Sequence, residues 1–268
     1  MEKVTLGIIG FGNMGEAIGR ALNPSDFKKI LVYDLDPKKL KKDRRFTKAK
    51  NSGDIINRSE VILLAIKPQN LSDFLKENKA ALSFRKPLIV SILAGISTSI
   101  FEKYLKGGRI IRAMPNLPAL VGEGFTFLSA GRDARRGDLE IVKRIFSKTG
   151  EVVVTEEKNM DRVTSITGSG PGYVFYFMDA LYRSALNLGF PKLQARRIAI
   201  RVFLGSAKLA EASGKDFASL LKGVASPKGT TEAALKIFES QRVGYAIEKG
   251  VKGAKRRSEE ISRGFKER

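Results

Sequence analysis

The stretch that most limits what this chain can fold into lies at its start. The β-branched run VTLGIIG leads into Gly10-Phe11-Gly12-Asn13-Met14-Gly15 and then into the helix-forming EAIGRAL. A G-x-G-x-x-G string alone is common. Here it follows a strand and opens a helix, and the next strand-like run, ILVYD, ends in Asp34 at the spacing a dinucleotide fold requires. The glycines let backbone approach a pyrophosphate, and the helix start adds free N–H groups and partial positive charge. A merely tight strand-helix turn would need no acidic residue at that distance. Gly10, Gly12, Asn13, Met14 and Gly15 are therefore candidate cofactor contacts. The Asp34 carboxylate suits the ribose hydroxyls of NAD and repels a 2′-phosphate, which favours NADH. Lys38, Lys39, Lys41 and Lys42 lie just beyond and offset that repulsion, so NADPH stays open.

The pattern continues as alternation. PKKLKK follows ILVYD, QNLSDFLKENK follows VILLAIK, STSIFEKYL follows LIVSILA, and RIIRAM comes next, each pair reading as strand then helix. Such spacing predicts βαβ units and a parallel sheet. Two further strands, GFTFLSA and EVVVTE, flank the amphipathic DLEIVKRIFSKTG and extend the sheet. Beyond Asn159 the strand signals stop and the chain reads as helices. The expected organisation is an α/β Rossmann-type domain with an extended mixed sheet over residues 1–158 and an all-α domain over 159–268. In the second, the segment carrying Ile198, Val202, Leu204 and Leu209 is too apolar for a lone surface helix and calls for a partner such as another subunit.

Composition narrows the chemistry. The chain has no Cys and no His, which removes disulfides, thiolate nucleophiles, Ser-His pairs and the usual zinc sites. Hydroxyls, Lys, carboxylates, backbone amides or a borrowed cofactor must do the work. The formal charge of +21 invites a nucleic-acid reading. However, the basic residues are spread along the whole chain and lack the interleaved aromatics of a stacking platform, which argues against it. No run reaches the length of a membrane span and no leader pattern opens the chain, so a cytoplasmic protein is expected.

Ligands of open parallel sheets bind beyond the C-terminal strand ends. There stand Lys67-Pro68 and Met114-Pro115-Asn116, rigid backbone with polar side chains; for Lys67 a solvated lysine is the competing reading. Two turns rich in hydroxyls and small residues also open helices: TGSGP at 167–171 and VASPKGTT at 224–231. Either places unpaired N–H groups where an anion such as a substrate carboxylate can sit, although N-capping alone accounts for one such turn.

Taken together, GIIGFGNMGEAI, AIKP, RAMPNLPALVGEG, TGSGPGYVF, GSAKL and ASPKGTT resemble the pyrroline-5-carboxylate reductase family over essentially the whole chain. The resemblance implies NADH- or NADPH-dependent reduction of 1-pyrroline-5-carboxylate to L-proline and a helical dimerisation domain, with further assembly to a decamer in some members. It implies that amides from Gly229 to Thr231 cradle the substrate carboxylate. Ser226 and Thr230 would line the same pocket, and the Thr231 hydroxyl would face the ring nitrogen as the catalytic group. It further implies that Ala65, Lys67 and Pro68 touch the cofactor, that Met114 and Asn116 border the nicotinamide, and that Asn51 meets the adenosine. Three departures stand out: Lys228 where the family usually has the first of two glycines, Lys222-Gly223 before the turn, and Asp34 itself. Other readings of the same plan are a reductase of another small cyclic imine, a 3-hydroxyacid enzyme, or a non-catalytic dinucleotide sensor.

Overall fold

The computed structural model describes residues 3–40 and 43–266. Its chain groups into two compact units, one comprising the residues up to Ser169 together with those from Ala254 onward, the other Gly170–Gly253.

The first unit is built on a sheet of eight strands among the described residues. In chain order these are β1 (Thr5–Ile9), β2 (Lys29–Tyr33), β3 (Thr47–Lys48), β4 (Val61–Leu64), β5 (Leu88–Ser91), β6 (Ile110–Met114), β7 (Gly124–Ala130) and β8 (Gly150–Val154). The spatial order is β3-β2-β1-β4-β5-β6-β7-β8, parallel except where β7 pairs antiparallel with β6. The mixed, extended sheet expected from the sequence is the one observed. Strands β4 and β5 are buried along their whole length, as their unbroken apolar runs require of a parallel sheet covered on both faces.

The two faces carry separate cores. Ile8 and Val32 point to the face covered by α1 (Asn13–Ala21), through Ile18, and by α5 (Arg136–Phe146), through Phe146. Ile9 and Leu31 point to the other face. That face is covered by α2 (Ser52–Arg58), α3 (Leu71–Arg85) and α4 (Thr98–Tyr104), with Ile55, Leu75 and Phe101. From β1 the strands are laid down outward to one side as β2 and β3 and then to the other as β4 and β5, so the C-terminal ends of the parallel neighbours β1 and β4 form the switch point where such sheets bind ligands.

Two local expectations are corrected. PKKLKK forms no α-helix within the described residues: Pro37–Lys39 is a single 3₁₀ turn, capped by Asp36, whose side chain accepts the Lys38 N–H at 3.0 Å. One buried leucine, Leu40, anchors it, and one apolar residue makes no stripe. Lys41 and Lys42 lie outside the described residues. The crossover to β4 is made by α2, which follows the two-residue edge strand β3. The second correction concerns TGSGP, which does not open a helix with free amides. Helix α6 (Met160–Val163) runs into a π-helical turn at Thr164–Gly168, and the Ser169 N–H already donates to the Thr164 carbonyl at 2.9 Å. The hydroxyls of Thr164 and Thr167 bond back to the carbonyls of Met160 and Val163, the local alternative to capping.

The second unit contains α7 (Gly170–Asn187), α8 (Lys192–Ser213), α9 (Phe217–Val224), α10 (Thr230–Ser240) and the beginning of α11 (Val243–Lys266). Gly189 and Gly214 take left-handed conformations just past α7 and α8, with φ of +88° and +60°. Little of this unit is buried by its own chain. Ala195 and Ala199 are inside, whereas Tyr176, Val202, Leu204 and Leu209 are exposed. The distal part of α11 belongs with the sheet: the Ser258 hydroxyl donates to Asp161 at 2.7 Å, and Ser262 to the Gly95 carbonyl.

Candidate functional site

At the switch point β1 ends in Gly10, whose φ of +93° is closed to most side chains. A Cβ there would lie 2.5 Å from the Ala65 carbonyl oxygen, and one at Gly15 would lie 2.1 Å from the Gly10 oxygen. Both glycines are forced by contact with neighbouring backbone. Gly12, the N-cap of α1, differs: a Cβ there meets nothing within 4 Å, and no side chain caps the helix. The amides of Asn13, Met14 and Gly15 thus open α1 toward free space, which is the cradle a pyrophosphate requires. The residues present therefore fit a dinucleotide.

Gly10, Gly12, Asn13, Met14, Asp34, Ala65 and Lys67 border one cleft. Gly15 lies beneath it, and Pro68 opens the short 3₁₀ turn beside Lys67. The other three expected cofactor residues lie apart from this cleft. The Asn51 side chain caps α2 by accepting the Asp54 N–H at 2.8 Å, and that of Asn116 accepts the Phe125 N–H at 2.9 Å, so both amide oxygens already hold backbone. Met114 ends β6 with its side chain toward Gly168.

Asp34 is more committed than a free ribose acceptor. Its carboxylate accepts the Phe11 N–H at 2.7 Å and the Asp36 N–H at 2.8 Å, with Lys39 Nζ at 3.3 Å. Burial works against its ionisation, but these backbone donors and Lys39 outweigh it and hold the carboxyl below the usual range. Lys39, Asp36 and the exposed Leu35 also border the cleft. In the sequence Lys39 reads only as a counter-charge, and Leu35 and Asp36 do not stand out. Their one signal is adjacency to Asp34.

The second candidate site is a single turn in the helical unit. The Gly229 N–H donates to the Ser226 carbonyl at 2.9 Å, closing a β-turn with Pro227 and Lys228 at its centre. Lys228 has φ +58°, one of three non-glycine residues with positive φ among the described residues. A non-glycine residue in this region carries about 1–2 kcal/mol of strain. Gly229 is then the N-cap of α10, without a side-chain cap. Because the Gly229 amide is engaged in the turn, the donors left without an intrahelical acceptor are those of Thr230, Thr231 and Glu232. Ser226, Gly229, Thr230 and Thr231 are thus brought together in one turn and helix start. Glu232, absent from the expected set, completes it by accepting the Lys228 N–H at 2.6 Å.

The sheet order, the glycine turn and its uncapped helix define a Rossmann-type dinucleotide-binding unit, here followed by an all-helical segment. Family models match both parts: residues 5–95 match NADP oxidoreductase, coenzyme F420-dependent, and residues 157–261 match pyrroline-5-carboxylate reductase dimerisation. A pyrroline-5-carboxylate reductase of Synechocystis is 36% identical over 267 residues, covering 97% of this chain and 99% of the relative. Among solved structures, the pyrroline carboxylate reductase of Plasmodium falciparum with NADP bound superposes with a TM-score of 0.89 at 27% identity, covering 98% and 99% of the two chains. The Coxiella burnetii pyrroline-5-carboxylate reductase gives 0.86 at 31%, covering 97% and 99%. The chain belongs to the pyrroline-5-carboxylate reductase family.

Proposed function

We propose that this chain reduces 1-pyrroline-5-carboxylate to L-proline with NADH or NADPH, in the cytoplasm and as a self-associated dimer. The observation that carries the reading is that this member of the family retains both an uncapped glycine-turn helix and an uncapped, hydroxyl-bearing helix start, each with amide donors left over.

In this reading the amides of Asn13, Met14 and Gly15 hold the pyrophosphate. Asp34 takes a ribose hydroxyl with the lone pairs its backbone donors leave, and this favours NADH. Lys39, already 3.3 Å from Asp34, softens the repulsion of a 2′-phosphate, so NADPH is also accepted. Asn51, Pro68, Met114 and Asn116 complete the cofactor contacts. When bound, the reduced nicotinamide supplies the hydride that the C=N carbon takes. The amides of Thr230 and Thr231 bind the substrate carboxylate, with Ser226 beside them and Gly229 giving the turn its shape. The Thr231 hydroxyl orients the ring nitrogen and stabilises the amine that forms. A cyclic imine is readily protonated by solvent near neutral pH, so a chain without His suffices. Residues 159–268 act as the substrate and dimerisation domain, and the exposed Tyr176, Val202, Leu204 and Leu209 are the surface that a second copy covers. Among the described residues, no helix is long and apolar enough to cross a membrane.

The test follows nicotinamide absorbance while 1-pyrroline-5-carboxylate is added with either cofactor. Oxidation of the cofactor with formation of proline is expected. No turnover with both would overturn the proposal, and a marked preference for NADPH would overturn the role given to Asp34.

A further inference from the structure

The turn before α10 holds a residue in a conformation that its chemistry resists. A turn with Pro227 second and a positive φ third ordinarily takes Gly at the third position, and here Lys228 sits at φ +58°. The turn bond from Gly229 N to Ser226 O and the ring of Pro227 are both compatible with negative φ at Lys228, in a type I turn, as well as with the positive φ observed, so they do not select its sign. What does touch its backbone is Glu232, whose Oε2 accepts the Lys228 N–H at 2.6 Å. The other oxygen, Oε1, lies 3.3 Å from Lys236 Nζ one turn further along α10. Glu232 stands three residues past the N-cap, the place from which an acidic side chain reaches back over a helix start. It reaches past the N-cap to the residue before it. One carboxylate therefore ties the strained residue to the first two turns of the helix. Its negative charge is partly offset by Lys236, which leaves the neighbouring amides of Thr230 and Thr231 usable by an anion.

We propose that Glu232 is a positioning residue: by holding Lys228 in the left-handed conformation, it sets the direction of the peptide that leads into the amides of Thr230 and Thr231. The inference rests on the reading of this turn as the receiver of the substrate carboxylate. Without the carboxylate at 232, Lys228 relaxes to negative φ and the following peptide rotates, so the cradle is lost. With Gly at 228 the left-handed conformation needs no tie, and the carboxylate becomes dispensable. Glu232 acting only as a favourable charge at a helix N-terminus would matter equally in both cases.

The experiment compares Glu232→Ala in the natural chain with the same change in a Lys228→Gly background, at fixed saturating cofactor. In the natural chain, the KM for 1-pyrroline-5-carboxylate is expected to rise about tenfold, equivalent to about 1.4 kcal/mol, with kcat and cofactor affinity within twofold. In the Lys228→Gly background the same change is expected to raise KM less than twofold. Glu232→Gln, which keeps an acceptor oxygen, is expected to stay within threefold of the natural KM. It takes the place of Glu232→Ala in both backgrounds if the alanine variant does not fold, and any effect it has must then vanish with Lys228→Gly. Equal penalties in the two backgrounds, or no penalty in either, overturn the proposal. Amide hydrogen exchange across residues 226–232 separates it from the function on which it rests. Glu232→Ala is expected to speed exchange of the Lys228 amide at least tenfold even if the chain turns over no pyrroline-5-carboxylate; unchanged exchange overturns the tie itself.

Discussion

The turns at 10–15 and 226–231 both lead into a helix with unclaimed amides, and they keep their shapes by opposite means. At 10–15 the shape is imposed from outside. Gly10 is pressed against the Ala65 carbonyl, Gly15 against Gly10, and the Asp34 carboxylate holds the Phe11 amide from the next strand. At 226–231 the hydrogen bonds found among the described residues are local: Gly229 N–H to the Ser226 carbonyl and Lys228 N–H to Glu232, all within seven residues. The first turn has no room for a Cβ at Gly10 or Gly15. The second holds because a strained residue is tied down locally. In the proposed function a cradle fixed by the sheet suits a pyrophosphate common to many ligands, and a locally tied one would let substrate recognition change without disturbing the sheet.

The comparison breaks most visibly at Gly10. Gly10→Ala combines a positive φ with a backbone contact that cannot give way, so urea denaturation is expected to show a loss of about 3 kcal/mol. A loss below about 1 kcal/mol would mean that this turn yields as the other does. Next in size is Thr231→Val, which leaves the α10 backbone intact. Its kcat for pyrroline-5-carboxylate is expected to fall about a hundredfold with cofactor affinity unchanged, and equal losses in both would contradict the role of the hydroxyl. Gly12→Ala sharpens the contrast within the first turn, because its added methyl meets no protein atom. The unfolding free energy should stay within about 1 kcal/mol of the natural chain, the cost of a poorer N-cap, whereas calorimetry should find cofactor binding weakened about tenfold. Loss of stability instead would place Gly12 with Gly10.

The smallest effect concerns acid. The folded-state pKa of Asp34 is lowered, so its contribution to stability is present above the unfolded value of about 4 and is lost as pH falls through the lower folded value. The stability difference between the natural chain and Asp34→Asn should therefore shrink as pH is taken from about 6 down toward 3. A difference that stays constant over that range would show that the carboxylate's charge adds nothing to the loop.

The parts legible in the sequence are those where several residues repeat one signal. β4 and β5 announce themselves as unbroken apolar runs, and the first glycine turn is framed by a strand, a helix and Asp34. The parts that escaped are too short or too ambiguous to carry a period. β3 has two residues, and α2 has seven with only Ile55 and Ile56 buried. The lysine-rich run at 37–42 looks helical by propensity but has one apolar anchor. At TGSGP the same threonines that could cap a new helix instead bond back to the preceding turn, and composition does not distinguish those outcomes. Glu232 did carry a signal, three residues after the N-cap. It was masked because that N-cap is Gly229, and the familiar pairing has Ser or Thr there.

The bond from the Phe11 amide to Asp34 has a consequence for how this enzyme's appetite for cofactors can drift. In the proposed function the carboxylate assigned to the ribose also braces the loop assigned to the phosphates, so a single change at position 34 is expected to alter both traits together. A lineage moving toward the phosphorylated cofactor would have to find a new brace for Phe11 before, or at the same time as, it gives up the acid. Selection can more readily act first on Lys39, whose side chain meets the Asp34 charge without holding the Phe11 amide.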